Sequence, residues 1–233
     1  MPFFEVNLSN YRHNIETIKS FIPRDCSLMA IVKSDAYGLG IEKISREAHD
    51  CGIRWFGIAK AEEALLLRDV LGGDVRIVQV SPFTAKDAPR LVEAGVIPII
   101  SSIDEARALS EESLKKGRKT SVHLGIDTGM GRMGFMPRDA VTVFQELVSL
   151  EALSLDGLFS HFPSADEDDE KFTKGQLMSF KELASEMERK LNKKLVKHIA
   201  NSSAVFRYPD SHMDLVRCGI ASYGASPSAG FML

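Results

Sequence analysis

The feature that most constrains the fold is an alternation, along almost the whole sequence, of short apolar runs with longer segments of helical periodicity. We predict eight strands, at residues 28–32, 55–59, 75–80, 96–100, 120–126, 153–160, 196–200 and 213–217. Apolar strands that alternate with amphipathic helices predict a parallel sheet covered by helices. Eight such units in 233 residues are typical of an α/β fold of the (β/α)8 TIM-barrel type.

One competing architecture is an open, doubly wound sheet. That fold often carries a GxGxxG turn after its first strand, and the residues that follow strand 28–32 do not form this motif. We therefore favour the closed barrel. Pro98 weakens the prediction of its fourth strand, because proline cannot donate a backbone hydrogen bond to a neighbouring strand.

Helical segments lie between the predicted strands. Residues 8–22 predict an additional helix before the first strand, and Ser102 followed by Glu105 has capping-box spacing at a helix start. The acidic run at residues 166–170 is predicted to form the N-terminal turn of the longest helix, where the helix dipole favours carboxylates, and not a metal site. One face of that helix is predicted to contain Phe172, Gln176, Phe180, Leu183, Met187 and Leu191.

Composition limits the partners and the cellular location. The 29 Lys and Arg residues against 32 Asp and Glu give a net charge of −3, which argues against nucleic acid as a partner. Three cysteines without a CxxC pair fit reduced thiols better than a disulfide framework or a zinc site. No apolar run reaches the ~18 residues of a membrane span, and the N-terminus lacks the pattern of a signal peptide. We therefore expect a cytoplasmic protein without a metal ion.

Chemically distinctive residues follow several predicted strands, at the end where a barrel gathers its active-site loops. Lys33 follows the first strand, Arg132 the fifth, His161 the sixth, residues 201–203 the seventh and Arg217 the eighth. A lysine at the end of an apolar strand is partly desolvated, which lowers its pKa and frees the amine for Schiff-base formation. Hydroxyl groups and glycine amides nearby suit a phosphate. The residue chemistry alone leaves two classes open, a pyridoxal phosphate enzyme and a sugar-phosphate aldolase.

Five sequence motifs resemble those of the alanine racemase family, which are fold-type III enzymes that use pyridoxal 5′-phosphate (PLP). The segment AIVKSDAYGLG at residues 30–40 resembles the PLP-attachment motif, and segments 127–134, 160–162, 198–202 and 216–220 follow in the order of the family. The resemblance extends over essentially the whole chain. It implies the N-terminal PLP-binding barrel domain and decides in favour of PLP over a sugar phosphate.

The resemblance implies roles for individual residues. Lys33 matches the lysine that forms the internal aldimine with PLP and serves as one of two bases at the substrate Cα. Arg132 matches a residue near the cofactor's phenolic oxygen and the substrate carboxylate. Arg217 matches the partner of the pyridine nitrogen, and His161 matches a residue beside that arginine. The remaining implied cofactor contacts, mostly at the phosphate, are Tyr37, Asn201, Ser202, Gly219 and Ile220.

Two departures from the family pattern affect these expectations. Gly125 stands where many members have a carboxylated lysine that steadies the arginine, so we expect Arg132 to be held otherwise or less firmly. Family members continue into a β-rich C-terminal domain that carries the opposing catalytic tyrosine, whereas this sequence stops at Leu233. We expect residues 1–224 to form the barrel domain and residues 225–233 to begin a linker to that second domain.

The resemblance therefore implies interconversion of L- and D-alanine by a homodimeric full-length protein, with weak or no activity in this 233-residue chain alone. Serine is the alternative substrate, because serine racemases share these motifs. A PLP-binding carrier barrel without racemase activity is the alternative from another functional class. The motifs favour the racemase, since the phosphate motif typical of the carrier group is not found here.

Overall fold

The computed structural model describes residues 5–226, in which parallel strands form a nearly closed barrel. The strands are β1 Ser27–Ile31, β2 Trp55–Ile58, β3 Arg76–Gln79, β4 Ile97–Ile100, β5 Thr120–Gly125, β6 Leu153–Phe159, β7 Val196–His198 and β8 Leu215–Cys218. Their order is β7-β6-β5-β4-β3-β2-β1-β8, so β1 pairs with both β2 and β8. Single backbone hydrogen bonds link the two ends of the sheet, such as the 3.0 Å bond from the Arg217 amide to the Ala200 carbonyl. The predicted (β/α)8 architecture is confirmed.

Helices cover the outside of the barrel. They are α1 Leu8–Phe21, α3 Ile41–Asp50, α4 Ala61–Leu71, α5 Ala88–Glu93, α6 Ile103–Lys115, α7 Ala140–Ser149, α8 Lys171–Leu191 and α9 Ser202–Arg207, with a short left-handed segment α2 at Lys33–Gly38. The predicted helix before the first strand is α1. The predicted capping box is also present, because the Glu105 amide donates to the Ser102 hydroxyl and the Glu105 carboxylate accepts from the Ser102 amide. Within residues 5–226 the structure contains no helix long and apolar enough to span a membrane.

The barrel wall separates two apolar layers. Outward-facing side chains such as Phe56 and Ile77 pack against the helices in the larger cluster. Inward-facing side chains, including Met29, Ile31 and Phe159, fill the interior of the barrel. Ile31 and Phe159 also line the cavity at the ends of the strands, so the inner apolar cluster forms the floor of the candidate site.

Two residues behave differently from their sequence signals. Pro98 lies inside β4 and pairs with Gln79 of β3, so the strand forms despite the proline. Phe172 does not share the buried face of α8. It is 50% exposed, and its ring lies over Gly129, where a Cβ atom would be 2.7 Å from the ring.

The acidic run at residues 166–170 also differs from its prediction. Helix α8 begins at Lys171 and has no acidic residue in its first turn, so the run precedes the helix. The carboxylate of Asp169 accepts a hydrogen bond from the Lys171 amide at 3.0 Å, which places it at the helix start from outside. The acidic run therefore ends at the N-cap residue Glu170, a boundary that composition alone does not reveal.

Candidate active site

A cavity of about 240 Å³ opens at the carboxyl ends of the strands. Its size is close to the lower limit of the ~300–1,000 Å³ typical of small-molecule sites. Every residue that the sequence analysis assigned to the site lines it. Several apolar wall residues were not predicted as site residues, because periodicity marks them only as core positions. The lining consists of Ile31, Lys33, Tyr37, Val80, Arg132, Phe159, His161, Asn201, Ser202, Ser203, Arg217, Gly219 and Ile220.

A left-handed turn follows β1 and fixes the position at which Lys33 leaves the strand. The four residues Ser34–Tyr37 have φ angles between 52° and 58° although none of them is glycine. Such a conformation costs roughly 1–2 kcal/mol per residue. Asp35 compensates in part, since its carboxylate accepts from the Ile41 amide at 2.8 Å and its carbonyl from the Gly40 amide at 3.0 Å. Strain of this kind, directly beside a cavity, is typical of a functional segment.

The Lys33 amine is available for chemistry. Within residues 5–226 its Nζ makes no hydrogen bond or ion pair, and the side chain lines the cavity. Burial lowers the pKa of Lys33, and the positive charge of Arg132 lowers it further, whereas the carboxylate of Glu63 raises it. A lysine with a lowered pKa holds a larger fraction of neutral, nucleophilic amine at a given pH.

Arg217 is buried in β8 and satisfies several neutral acceptors. The two hydrogens of its Nη2 are shared among the carbonyl oxygens of Ser160 and Ile199, at 2.7 and 3.1 Å, and Nδ1 of His161 at 3.1 Å. Its Nη1 donates to Nδ1 of His198 at 3.2 Å. Burial lowers the pKa of Arg217 to about 9, so the guanidinium is still charged at neutral pH. No described residue accepts a hydrogen bond from Nε, and Arg217 lines the cavity.

The guanidinium also determines the protonation of a histidine chain inside the barrel. Arginine can only donate, so Nδ1 of His161 and Nδ1 of His198 must both accept, and both rings are neutral with the proton on Nε2. Nε2 of His198 then donates to Nδ1 of His123 at 2.8 Å. Burial lowers the pKa of His161 to about 3 and that of His123 to about 4, and it also lowers the pKa of His198. The predicted site residues did not include His123 and His198. His198 lies in the motif at residues 198–202, whereas the only sequence signal of His123 is a polar residue within an apolar strand.

The other wall of the cavity is formed by hydroxyl groups and two helix starts. The Asn201 side chain caps α9, and the Ser202 hydroxyl accepts from the Gly219 amide at 3.2 Å. A 3₁₀ helix begins at Ile220, and the first amides of a helix lack partners within it. A Cβ atom at Gly219 would overlap the hydroxyl oxygen of Tyr37, so a larger residue here would require the Tyr37 side chain to move. This wall is a suitable cradle for an anionic group such as phosphate.

Arg132 lies at the rim of the cavity and is exposed. It makes no hydrogen bond or ion pair with any residue in the described part of the chain, which agrees with the looser hold expected from Gly125. A Cβ atom at Gly125 would lie 3.0 Å from Cγ2 of Ile99 and 3.1 Å from the carbonyl oxygen of Ile100. A lysine at this position would therefore require its neighbours to move.

The electrostatics of the cavity favour an anionic ligand. Lys33, Arg132 and Arg217 line it, and its described lining contains no aspartate or glutamate. Residues 5–226 also show no group of three or more His, Cys, Asp or Glu side chains placed to hold a metal ion. A free amine surrounded by cationic groups and a phosphate-type cradle suits a ligand that carries both a carbonyl group and a phosphate.

Known proteins resemble this chain in sequence and in structure. The family model for the N-terminal domain of alanine racemase matches residues 6–227. Alanine racemase 1 of Caldanaerobacter subterraneus subsp. tengcongensis is 37% identical over 226 residues, which cover 96% of this chain and 58% of the relative. Alanine racemase from Streptomyces coelicolor A3(2) has a TM-score of 0.89 and 36% identity, with 95% of this chain and 59% of that chain covered.

A third relative was solved with a ligand. Alanine racemase from Bartonella henselae, with covalently bound pyridoxal phosphate, has a TM-score of 0.85 and 27% identity over 95% of this chain and 63% of that chain. The chain thus spans about three fifths of the length of the relatives that it matches. With a family model matched over residues 6–227, the chain belongs to the alanine racemase family, whose N-terminal domain it contains.

Proposed function

We propose that this chain is the PLP-binding barrel of an amino-acid racemase whose substrate is alanine. The observation that carries the proposal is a free Lys33 amine of lowered pKa in a cavity that is lined by cations and, among the described residues, by no carboxylate. The relatives named alanine racemase support the choice of reaction and substrate. We propose further that residues 1–224 form this domain. Residues 227–233 of the predicted linker at 225–233, and residues 1–4 of the domain, lie outside the described residues.

The residues of the cavity fit PLP. A cradle for the phosphate is formed by the Ser202 hydroxyl, the backbone of Gly219 and the Tyr37 hydroxyl, with Asn201 and Ile220 at its edges. Lys33 is the group for covalent attachment to the cofactor's aldehyde. When bound, PLP supplies an electron sink that acidifies the substrate's Cα–H bond.

Arg217 is proposed to hold the pyridine nitrogen through its free Nε–H group. A guanidinium at this position only donates, and its positive charge disfavours protonation of the ring nitrogen. The four neutral acceptors around Arg217 fix its plane, and neutral His161 is one of them. The resulting weaker electron withdrawal suits a reaction that only moves a proton, because it restrains transfer of the amino group.

Two groups are proposed to act on the substrate itself. Lys33 holds or moves a proton at one face of Cα, and Arg132 attracts the substrate carboxylate at the cavity rim. Racemisation also needs a proton-transfer group on the opposite face of Cα. For the whole protein we propose that a partner subunit in a homodimer supplies it. Serine as substrate, and a carrier barrel without racemase activity, are the outcomes that the activity measurements must separate from this proposal.

The proposal is tested by removal of the attachment group. We expect the 233-residue chain incubated with PLP to develop the visible absorbance of a lysine-bound cofactor, and we expect Lys33→Ala to abolish it. Lys43→Ala, at an exposed lysine on α3, is the matched control and should leave the band unchanged. An equal band in the Lys33→Ala protein, at the same stoichiometry, would overturn the assignment.

A further inference from the structure

Glu63, near the start of α4, holds together two loops at the mouth of the barrel. One carboxylate oxygen accepts a hydrogen bond from the Ser34 amide at 2.6 Å. The other accepts from the amides of Ala59 and Lys60 at 2.8 and 3.1 Å. Glu63 does not line the cavity, but it is bound to the residue directly after Lys33. It therefore fixes the first residue of the left-handed turn to the end of the neighbouring strand.

The charge of Glu63 also acts on Lys33. Burial and Arg132 lower the pKa of Lys33, and Glu63 is the group that raises it. The other titratable side chains that face the cavity are His161, which is neutral and half-buried, Tyr37 and Arg217. A lysine that both takes and gives a proton works best when its pKa is near the operating pH. The negative charge of Glu63 therefore opposes the effect of the surrounding cations, so that a larger fraction of Lys33 stays protonated.

We propose that Glu63 is a positioning residue for Lys33. It places Lys33 through its hydrogen bond to the Ser34 backbone, and its negative charge helps the Lys33 amine to hold a proton. The placement follows from the three backbone hydrogen bonds, because no other described side chain binds the Ser34 amide. This inference rests on the proposed function in one respect, which is that Lys33 takes part in the reaction. The contacts and the charge of Glu63 can be tested without cofactor.

Glu105 provides a matched control elsewhere on the barrel. It occupies the equivalent position in α6, and its carboxylate accepts from the amides of Phe83, Ser101 and Ser102. It therefore joins two neighbouring loops in the same manner as Glu63. It does not contribute to the pKa of Lys33. A substitution here disturbs the same kind of loop contact without removing a charge that acts on Lys33.

The test measures the titration of Lys33 in the cofactor-free 233-residue chain. Lysines are converted to ¹³C-dimethyllysines, and the NMR signal of Lys33 is identified by its loss in Lys33→Arg. In Glu63→Gln the side-chain amide carries no charge, and its nitrogen cannot accept a hydrogen bond. We therefore expect the midpoint of the Lys33 titration to move to lower pH. In Glu63→Asp the charge is retained at a greater distance, so we expect a smaller shift in the same direction. Glu105→Gln should leave the midpoint unchanged.

The outcomes separate a positioning role from a purely structural one. A Lys33 midpoint that is unchanged or raised in Glu63→Gln, or equally lowered in Glu105→Gln, would overturn the proposal. If Glu63→Gln does not fold, an unchanged midpoint in Glu63→Asp overturns it as well, and a lowered one supports it. Adding PLP to the unaltered chain tests the proposed function separately. A failure to bind PLP would contradict that function and leave the titration result valid.

Discussion

The 233-residue chain supplied with PLP is expected to exchange the α-proton of alanine with solvent, yet to interconvert the enantiomers about 10²–10⁴-fold more slowly than a full-length relative. The size of the effect is that of one properly placed acid–base group. Lys33 can act on one face of Cα. Within the described part of the cavity we find no second group suited to the opposite face.

The other candidates on the cavity wall are unsuited to proton transfer at Cα for physical reasons. His161 accepts from Arg217 through Nδ1, and burial lowers its pKa to about 3, so it does not carry an extra proton near neutral pH. The Tyr37 hydroxyl packs against Gly219 on the phosphate side of the cavity, and burial raises the pKa of Tyr37. The open cavity rim would also admit water, which weakens electrostatic stabilisation in the site.

The measurement compares two rates on the same samples at saturating PLP. Incorporation of solvent deuterium at Cα is followed by mass spectrometry, and conversion of L- to D-alanine is followed by chiral chromatography. Lys33→Ala is the control and should lose both. Full racemase turnover by the isolated chain would contradict the two-group argument. Complete absence of exchange in the PLP-loaded chain would favour the carrier function instead.

Replacement of Arg217 by glutamate is expected to lower the free energy of unfolding by about 3–5 kcal/mol near neutral pH. That is the usual cost of leaving a buried charge without compensating partners. Arg217 satisfies two carbonyl oxygens and two imidazole nitrogens, and a carboxylate can satisfy none of them while those rings remain in their present tautomers. The four acceptors and the new carboxylate would then face one another.

The destabilisation caused by Arg217→Glu should become smaller as the pH falls. In the unaltered chain the pKa values of His161 and His198 are lowered by burial, so the unfolded state takes up protons first as the pH falls below ~6.5. These histidines therefore cost the folded state stability in acid. In Arg217→Glu they face a carboxylate, which raises their pKa values in the folded state and reduces that cost. The difference in stability between variant and unaltered chain should thus be smaller near pH ~5.5 than near pH ~7.5.

Urea unfolding at both pH values measures this effect. Arg217→Met removes the donors without adding a charge, so it should destabilise the chain with a weaker dependence of the difference on pH. A loss of under ~1 kcal/mol in Arg217→Glu would mean that the hydrogen bonds of Arg217 are not what stabilises this region. In a PLP-loaded full-length protein, an unchanged cofactor spectrum and unchanged reaction partitioning in the same variant would contradict the proposed contact with the ring nitrogen.

Sequence patterns could predict the barrel because each signal is local and repeats eight times. Apolar strands and amphipathic helices alternate, and the carboxyl ends of parallel strands must converge at one face. Residues as distant along the chain as Lys33 and Arg217 can therefore be assigned to one cavity by their positions at strand ends. The boundary of α8 was less predictable, because the acidic run marks the region of the helix start but not the residue at which the helix begins.

The features that the sequence did not predict all depend on contacts between distant elements. The turn at Ser34–Tyr37 is left-handed without a glycine, and Glu63 of helix α4 binds its first amide. The chain from Arg217 through His198 to His123 joins three strands inside the barrel. Local propensity contains no information about such partners, since each residue alone fits an ordinary strand end or helix start.

The most direct test of the account is to locate the cofactor on the chain. The PLP-loaded 233-residue chain is reduced with borohydride, digested and analysed by peptide mass spectrometry. We expect one phosphopyridoxyl group per chain, on the peptide that contains Lys33. This amine has a lowered pKa, lines the cavity and makes no hydrogen bond or ion pair within residues 5–226. A stoichiometric adduct on any other lysine, or none on Lys33, would contradict this expectation.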